Sequence, residues 1–367
     1  MRTLLVALLS LLPIPALAEI TFHALLNLAD YTPDPERTYV IQNMPPPTNQ
    51  QGLAICYAHT AATIVNYHNC QLMNLDCTTL PAKDLASPLD IARFGQEPDG
   101  DSTDVSSYRG ISEGGPDLFT LEIAALHVGN AASQACFNEE MVFGELNAPD
   151  VSDEKIIMKQ RERIATLTDI YNTYQGNKCT DCDRSSTAIS AITKLYPKQD
   201  PARILRALEE ETYPKFFDRL FTPRECARAK NRFYFEGKYS YEIALYPGDA
   251  SKPSYTNMMK KIKEIVRLNS PVVISVCFFD TQGKKCPVES THSLVLYGYS
   301  QVCKENVCLD ALKVRNSWGP AWEKSNGENW FDAKRIFDSM RHSEQSIGWL
   351  RPLPATGPEP EATVADM

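Results

Sequence analysis

Cys56 stands in "NQQGLAICYAHTAATIVNY", residues 49–67, after a polar, glycine-bearing turn. The alanines and other small residues that follow it predict a buried helix. A cysteine at a helix N-terminus feels the positive end of the helix dipole, which favours thiolate over thiol. A histidinium beside it lowers the thiol pKa further, into a range of about 3.5 to 7.5. Such a nucleophile needs a base, a group that orients the base, and donors for the developing oxyanion. The chain has six histidines, and His292 opens the strand-like run "HSLVLYGYS", where a sheet would hold its ring rigidly. Asn316 lies in "RNSWG", and Trp318, two residues on, is placed to shield a hydrogen bond from water. Each residue alone also has a plain reading: Cys56 as half of a disulfide, His292 as a satisfied strand histidine, Asn316 as a turn residue, Trp318 and Trp322 as core aromatics. His59, three residues after Cys56, reads as a packing residue.

The elements that must position these groups begin after residue 18. Residues 1–18, "MRTLLVALLSLLPIPALA", combine one basic residue, a short apolar run and a small-x-small ending at Ala18, the pattern of a secretory signal peptide. No other stretch is apolar enough to anchor the chain in a membrane. The expected location is therefore exported, periplasmic or secreted, and the absence of Asn-x-Ser/Thr sequons favours a bacterial route. Net charge is -9, with no basic stripe, which argues against nucleic acid as a partner. Eleven cysteines suit an oxidising compartment. The close pairs Cys70–Cys77, Cys179–Cys182, Cys277–Cys286 and Cys303–Cys308, with Cys136–Cys226, would use ten and leave Cys56 as the free thiol.

Residues 19–48 read as an extended arm with a polyproline strap at Pro45-Pro46-Pro47. Residues 49–129 form a helical portion carrying the nucleophile, with a second helix opening in "GGPDLFTLEIAAL". Residues 130–235 are helical and charged: Ile157, Ile164, Leu167, Tyr171 and Tyr174 recur at helical spacing, and "STAISAITKLY" and "PARILRALEEE" follow. Residues 236–351 are β-rich, with strands in "PVVISVCFFD", "HSLVLYGYS" and "ALKVRNSW". Residues 352–367 are rich in proline and acid, the composition of a disordered tail. Helices first and strands later argue an α+β fold. "CTDC" at 179–182 reads as a tight disulfide, and "DGDSTD" at 99–104 as a solvated loop, since Gly110 occupies the position where a calcium loop needs glutamate. No metal or cofactor is expected.

"NQQGLAICYAHTAA", "GISEGGPDLF", "THSLVLYGYS" and "VRNSWGPAW", in that chain order, resemble the cysteine, glycine-pair, histidine and asparagine blocks of the papain-like cysteine peptidases. The resemblance implies a two-lobed fold with a helical lobe and an antiparallel, barrel-like β lobe. It implies hydrolysis of peptide bonds through a thiolate–imidazolium pair and an acyl-enzyme, with Cys56 as nucleophile, His292 as general base and acid, and Asn316 as orienter of the imidazole. The oxyanion glutamine falls on Gln50, with Gln51 as the alternate, beside the backbone N–H of Cys56. Gly114 and Gly115 match the glycine pair whose backbone pairs with an extended substrate, and Trp318 shields the site. The implied partner is a protein or peptide substrate.

Several positions depart from the family pattern. Leu53-Ala54-Ile55 replaces Cys-Gly-Ser, Tyr57 replaces tryptophan, and Ser112 replaces the cysteine before the glycine pair. The two lost cysteines pair with each other in the family, so their joint absence agrees with Cys56 remaining single. His292 lies 292 - 56 = 236 residues after Cys56, against about 130 to 150 for the family. Residues 130–235 account for the surplus as an insertion: a lid, an exosite for a macromolecular partner, or an in-chain inhibitor. Two alternatives remain open: a catalytically silent homologue that binds protein, and a cysteine hydrolase acting on peptidoglycan cross-links.

Overall fold

The computed structural model describes residues 28, 30–93, 111, 114–147, 154–176, 184–248, 252–277, 291–326, 329–340 and 346–354. The expected signal peptide, the 99–104 loop, Cys179, Cys182, Cys286 and all but the first residues of the expected tail lie outside them. The first elements are two short strands, β1 (Thr32–Pro33) and β2 (Tyr39–Val40). Helix α1 (Cys56–Met73) contains no Asp, Glu, Lys or Arg, and residues 57–68 are buried on every side. A helix without a polar face must run through the interior. It ends at Asn74, whose left-handed backbone lets its N–H reach the carbonyls of Cys70 and Gln71. Helix α2 (Pro88–Ala92) and helix α3 (Asp117–Glu122, continued by a wider turn to Val128) pack against α1.

The ends of the 130–235 segment are joined as a two-stranded ribbon, which periodicity alone does not reveal. Strands β3 (Asn130–Ala132) and β4 (Arg232–Tyr234) pair antiparallel, Asn130 opposite Tyr234. Between them run α4 (Glu139–Phe143), α5 (Glu154–Gly176), α6 (Arg184–Leu195), α7 (Pro201–Leu208) and α8 (Tyr213–Phe221). Ile157, Ile164, Leu167, Tyr171 and Tyr174 of α5 are all buried, and the Tyr171 ring packs tilted against Phe216 with centroids 4.7 Å apart.

The remaining chain builds the main sheet: β5 (Tyr241–Tyr246), β6 (Val272–Cys277), β7 (Thr291–Lys304), β8 (Val307–Arg315), β9 (Trp330–Asp332) and β10 (Ile347–Pro352). Their order is β5-β10-β6-β7-β8-β9, every pairing is antiparallel, and β1 and β2 add to β7. Strand β10 ends at Pro352, the first residue of the expected tail. Three helices also belong to this part of the chain: α9 (Tyr255–Arg267), α10 (Gly319–Ser325) and α11 (Ala333–Met340). Met258, Met259, Ile262, Ile265 and Val266 give α9 its buried face, and Ser254 caps it by accepting from the Asn257 N–H. The fold is α+β. Strand β7 is buried over nine consecutive residues, His292–Ser300, because α1 and α9 both pack against it.

Three of the five expected disulfides are present: Cys70–Cys77, Cys136–Cys226 and Cys303–Cys308; the other two involve positions outside the described residues. Cys136–Cys226 closes a loop of 90 residues just inside the β3–β4 ribbon. Closing so long a loop restricts the unfolded chain strongly. Replacing both cysteines by alanine is expected to lower unfolding free energy by about 2–5 kcal/mol, read from urea denaturation of the oxidised protein.

Candidate active site

Helix α1 begins at Cys56, and Cys56 is the one free cysteine among the described residues. The turn before it is tightly held. The Leu53 N–H donates to the Gln50 carbonyl at 3.2 Å and the Ala54 N–H to the Ile111 carbonyl at 3.0 Å. Gly114 follows at φ +97, a backbone conformation that favours glycine, and a Cβ built there would lie 3.9 Å from the Ala54 carbonyl. The glycine pair Gly114–Gly115 therefore borders the turn that presents the thiol.

The Cys56 thiol faces strand β7. Burial pushes it up to about 11; the backbone of Ser293 opposes this, the Asp117 charge adds to it, and the backbone of Tyr57 and the Ser293 hydroxyl oppose it. The residue as a whole is half-buried, so desolvation acts on the sulfur rather than sealing the residue from solvent. His292 precedes Ser293. Burial brings its ring down to about 4, while its hydrogen bond to Asn316 acts upward and the nearby His59 acts downward.

Asn316 follows β8 directly, and its Oδ1 lies 2.7 Å from the His292 Nε2. The same oxygen accepts from the Ser317 N–H at 2.7 Å. A backbone N–H can only donate, so this contact defines the atom as the amide oxygen. The His292 Nε2 must then carry the proton and Nδ1 the lone pair of the neutral ring. Trp318 covers the imidazole with ring centroids 5.0 Å apart, and Trp322 meets Trp318 edge-on at 5.7 Å.

Gln50 and Gln51 point into different surroundings. The Gln50 Oε1 accepts from the Ser317 hydroxyl at 2.6 Å, which turns its amide nitrogen toward the Leu53 carbonyl at 2.8 Å. One of that nitrogen's two hydrogens is used there. The Gln51 side chain is bound by Asn147 and by Gln160 of α5, whose amide nitrogen donates to the Gln51 Oε1 at 2.6 Å. Gln160 is fully buried, and its Oε1 accepts from the Gly52 N–H at 2.8 Å. A Cβ at Gly52 would stand 2.6 Å from the Gln160 Cβ, so only glycine admits this approach.

Thus Cys56, His292, Asn316, Gln50 and Trp318 gather at one place, Gly114 and Gly115 border it, and Gln51 faces the 130–235 segment. Gln160, Ser293, Asp117, Thr48 and Glu139 were not singled out from sequence. His59 is buried, with its Nδ1 2.7 Å from the Thr48 hydroxyl and its Nε2 3.2 Å from a Glu139 carboxylate oxygen. Only the position of Ser293, next to His292 in the histidine block, and of Asp117, in the glycine block, offered a signal. No family model matches the chain, and no curated protein matches it.

Two outcomes follow from this geometry. With the thiol raised to about 11 and the imidazole lowered to about 4 by burial, both are neutral at pH 7, in place of the expected thiolate–imidazolium pair, and the thiolate fraction grows about tenfold per pH unit below 11. Iodoacetamide labelling of Cys56 in the unliganded protein should rise steadily from pH 6 to 10; a labelling plateau extending to pH 5 would instead indicate a standing thiolate–imidazolium pair. Gln160→Leu removes the acceptor of the Gly52 N–H and the donor to the Gln51 side-chain Oε1. We expect a stability loss of about 1–3 kcal/mol in urea denaturation and faster amide exchange at Gly52.

Proposed function

We propose that the protein is an exported cysteine peptidase of the papain-like type, in which α1 and its neighbours form the helical lobe and the main sheet the β lobe. The observation that carries this reading is the His292–Asn316 contact of 2.7 Å beside a free cysteine at a helix start. It fixes Nδ1 of His292 as the nitrogen able to take a proton. The three disulfides suit an oxidising compartment, and no helix among the described residues is long and apolar enough to cross a membrane.

In this reading the Cys56 sulfur attacks the peptide carbonyl carbon as its proton passes to Nδ1 of His292. Because thiol and imidazole rest neutral, His292 acts as a general base at the moment of attack. The oxyanion is met by the Cys56 N–H and by the remaining amide hydrogen of Gln50. The C–N bond then breaks, the amine leaves with the proton from His292, and a thioester remains on Cys56. Water, deprotonated by His292, adds to the thioester; the acid departs and the thiol is restored. The extended substrate runs along Gly114–Gly115, where the lack of side chains allows close backbone approach.

A second reading, a silent binder, is favoured by one feature: burial holds the thiol protonated. One experiment separates the readings. Cleavage of casein by the oxidised protein, lost in Cys56→Ala with the circular dichroism spectrum retained, is the expected result. Cleavage that persists in Cys56→Ala overturns the nucleophile. Folded protein that leaves casein intact supports the silent binder, and if such protein releases fragments from cell walls, the peptidoglycan reading replaces both.

A further inference from the structure

Asp117 opens α3 two residues after the glycine pair, and its carboxylate is half-buried between that helix and the sheet. One oxygen accepts from the Leu118 N–H at 2.8 Å. The other accepts from the Ser275 hydroxyl at 2.5 Å and from the Ser293 hydroxyl at 3.1 Å. Ser275 and Ser293 are register partners on β6 and β7, so both hydroxyls rise from one rung of the sheet. Every one of these donors is neutral. Among the described residues no Lys, Arg or His lies within ion-pair distance of Asp117, although the chain forms such pairs widely elsewhere. A partly desolvated carboxylate without a cation is an unusual thing to keep beside a nucleophile.

The position gives it a purpose. Ser293 donates to Asp117 and also contacts the Cys56 sulfur, so one hydroxyl separates carboxylate and thiol. A peptide laid along Gly114–Gly115 with its carbonyl at Cys56 must carry side chains past Asp117. We propose that Asp117 is a specificity-determining residue that pairs with a cationic nitrogen of the substrate, on the acyl side of the scissile bond. This rests on the peptidase reading above. A guanidinium or ammonium there supplies the missing charge partner, and the two serine hydroxyls hold the carboxylate in place for it. The same occupancy neutralises the negative charge that works against ionising Cys56, so binding of the right substrate also eases attack.

The source of the cation is either a Lys or Arg side chain or the free amine of the peptide N-terminus, and matched peptides distinguish them. N-acetylated peptides carrying arginine, lysine, citrulline or norleucine at each of the two acyl-side positions nearest the cut would be compared with their free-amine forms. Arginine against citrulline changes charge with little change in shape. We expect kcat/KM for the charged peptide to exceed that for its neutral match by about tenfold, with the ratio falling toward one in Asp117→Asn and persisting in Asp117→Glu. A preference for the free amine alone, lost in Asp117→Asn, supports the same carboxylate as an anchor for the chain end. Equal cleavage of charged and neutral peptides by the wild-type protein overturns the inference, as does a preference that survives in Asp117→Asn. Failure to cleave any peptide would count against the peptidase reading instead. In that case fluorescence anisotropy of the arginine and citrulline peptides on Cys56→Ala protein still decides, with equal affinity overturning the role of Asp117.

Discussion

The site depends on a short backbone clasp between two stretches far apart in sequence. The Gly319 N–H donates to the Thr48 carbonyl at 2.9 Å, the Gln50 N–H donates to the Ser317 carbonyl at 2.8 Å, and Asn49 bridges Trp318 between them. This clasp fixes the strand that leads into Cys56 against the strand end that carries Asn316. Three side chains of the site are then oriented by neighbours within the clasp: Ser317 turns both the Gln50 amide and the Asn316 amide, and Trp318 lies over His292. Packing of α1 on β7 sets thiol against imidazole, and the clasp adds the register of the Gln50 and Asn316 amides to that pair.

Two opposing effects act on the thiol. The start of α1 and the donors on Ser293 and Tyr57 favour the anion, whereas burial and the Asp117 carboxylate favour the neutral form. Burial is the largest of these, and the result is a protected, neutral thiol. For a half-buried cysteine with no disulfide in a chain that is otherwise cross-linked, a protonated resting state has a further benefit. Thiols attack disulfides as thiolates, so a neutral Cys56 is slow to scramble Cys70–Cys77 or Cys303–Cys308.

Much of this was legible in the sequence, for identifiable reasons. Helix α1 and strand β7 announce themselves because burial on all sides removes charged residues, and the helical spacing of Ile157 to Tyr174 reflects one-sided burial of α5. The gathering of Cys56, His292 and Asn316 was read from the order of four short blocks. What escaped was set by contacts between distant residues. A glutamine in a charged helix, as at Gln160, looks like a solvent-facing residue until the Gly52 N–H is seen to need an acceptor. Likewise the short strands β3 and β4 have no periodicity to detect, since three residues bury only part of one face. Asp117 lies in the glycine block, and only the two serines facing it from the sheet mark it out.

The β3–β4 ribbon makes residues 130–235 a module hung from a stem. The stem brings Asn130 opposite Tyr234, so the segment leaves and re-enters the rest of the chain at two adjacent strand ends. Loop-closure entropy grows only with the logarithm of length, so halving or doubling the suspended segment changes that term by about 0.6 kcal/mol. The segment is also tied to the rest of the chain beyond the stem: Gln160 and Asn147 hold Gly52 and Gln51, Glu139 meets His59, Gln134 and Ala135 donate to the Leu85 and Ala82 carbonyls, and Asp218 faces Arg93. Length can therefore vary cheaply only in stretches that make none of these contacts, whereas any replacement must reproduce them and the core that its buried helices share with the rest of the chain. An exchanged segment would thus have to fit at two places at once, at the stem and against the turn before Cys56, where Gln160 accepts from the Gly52 N–H.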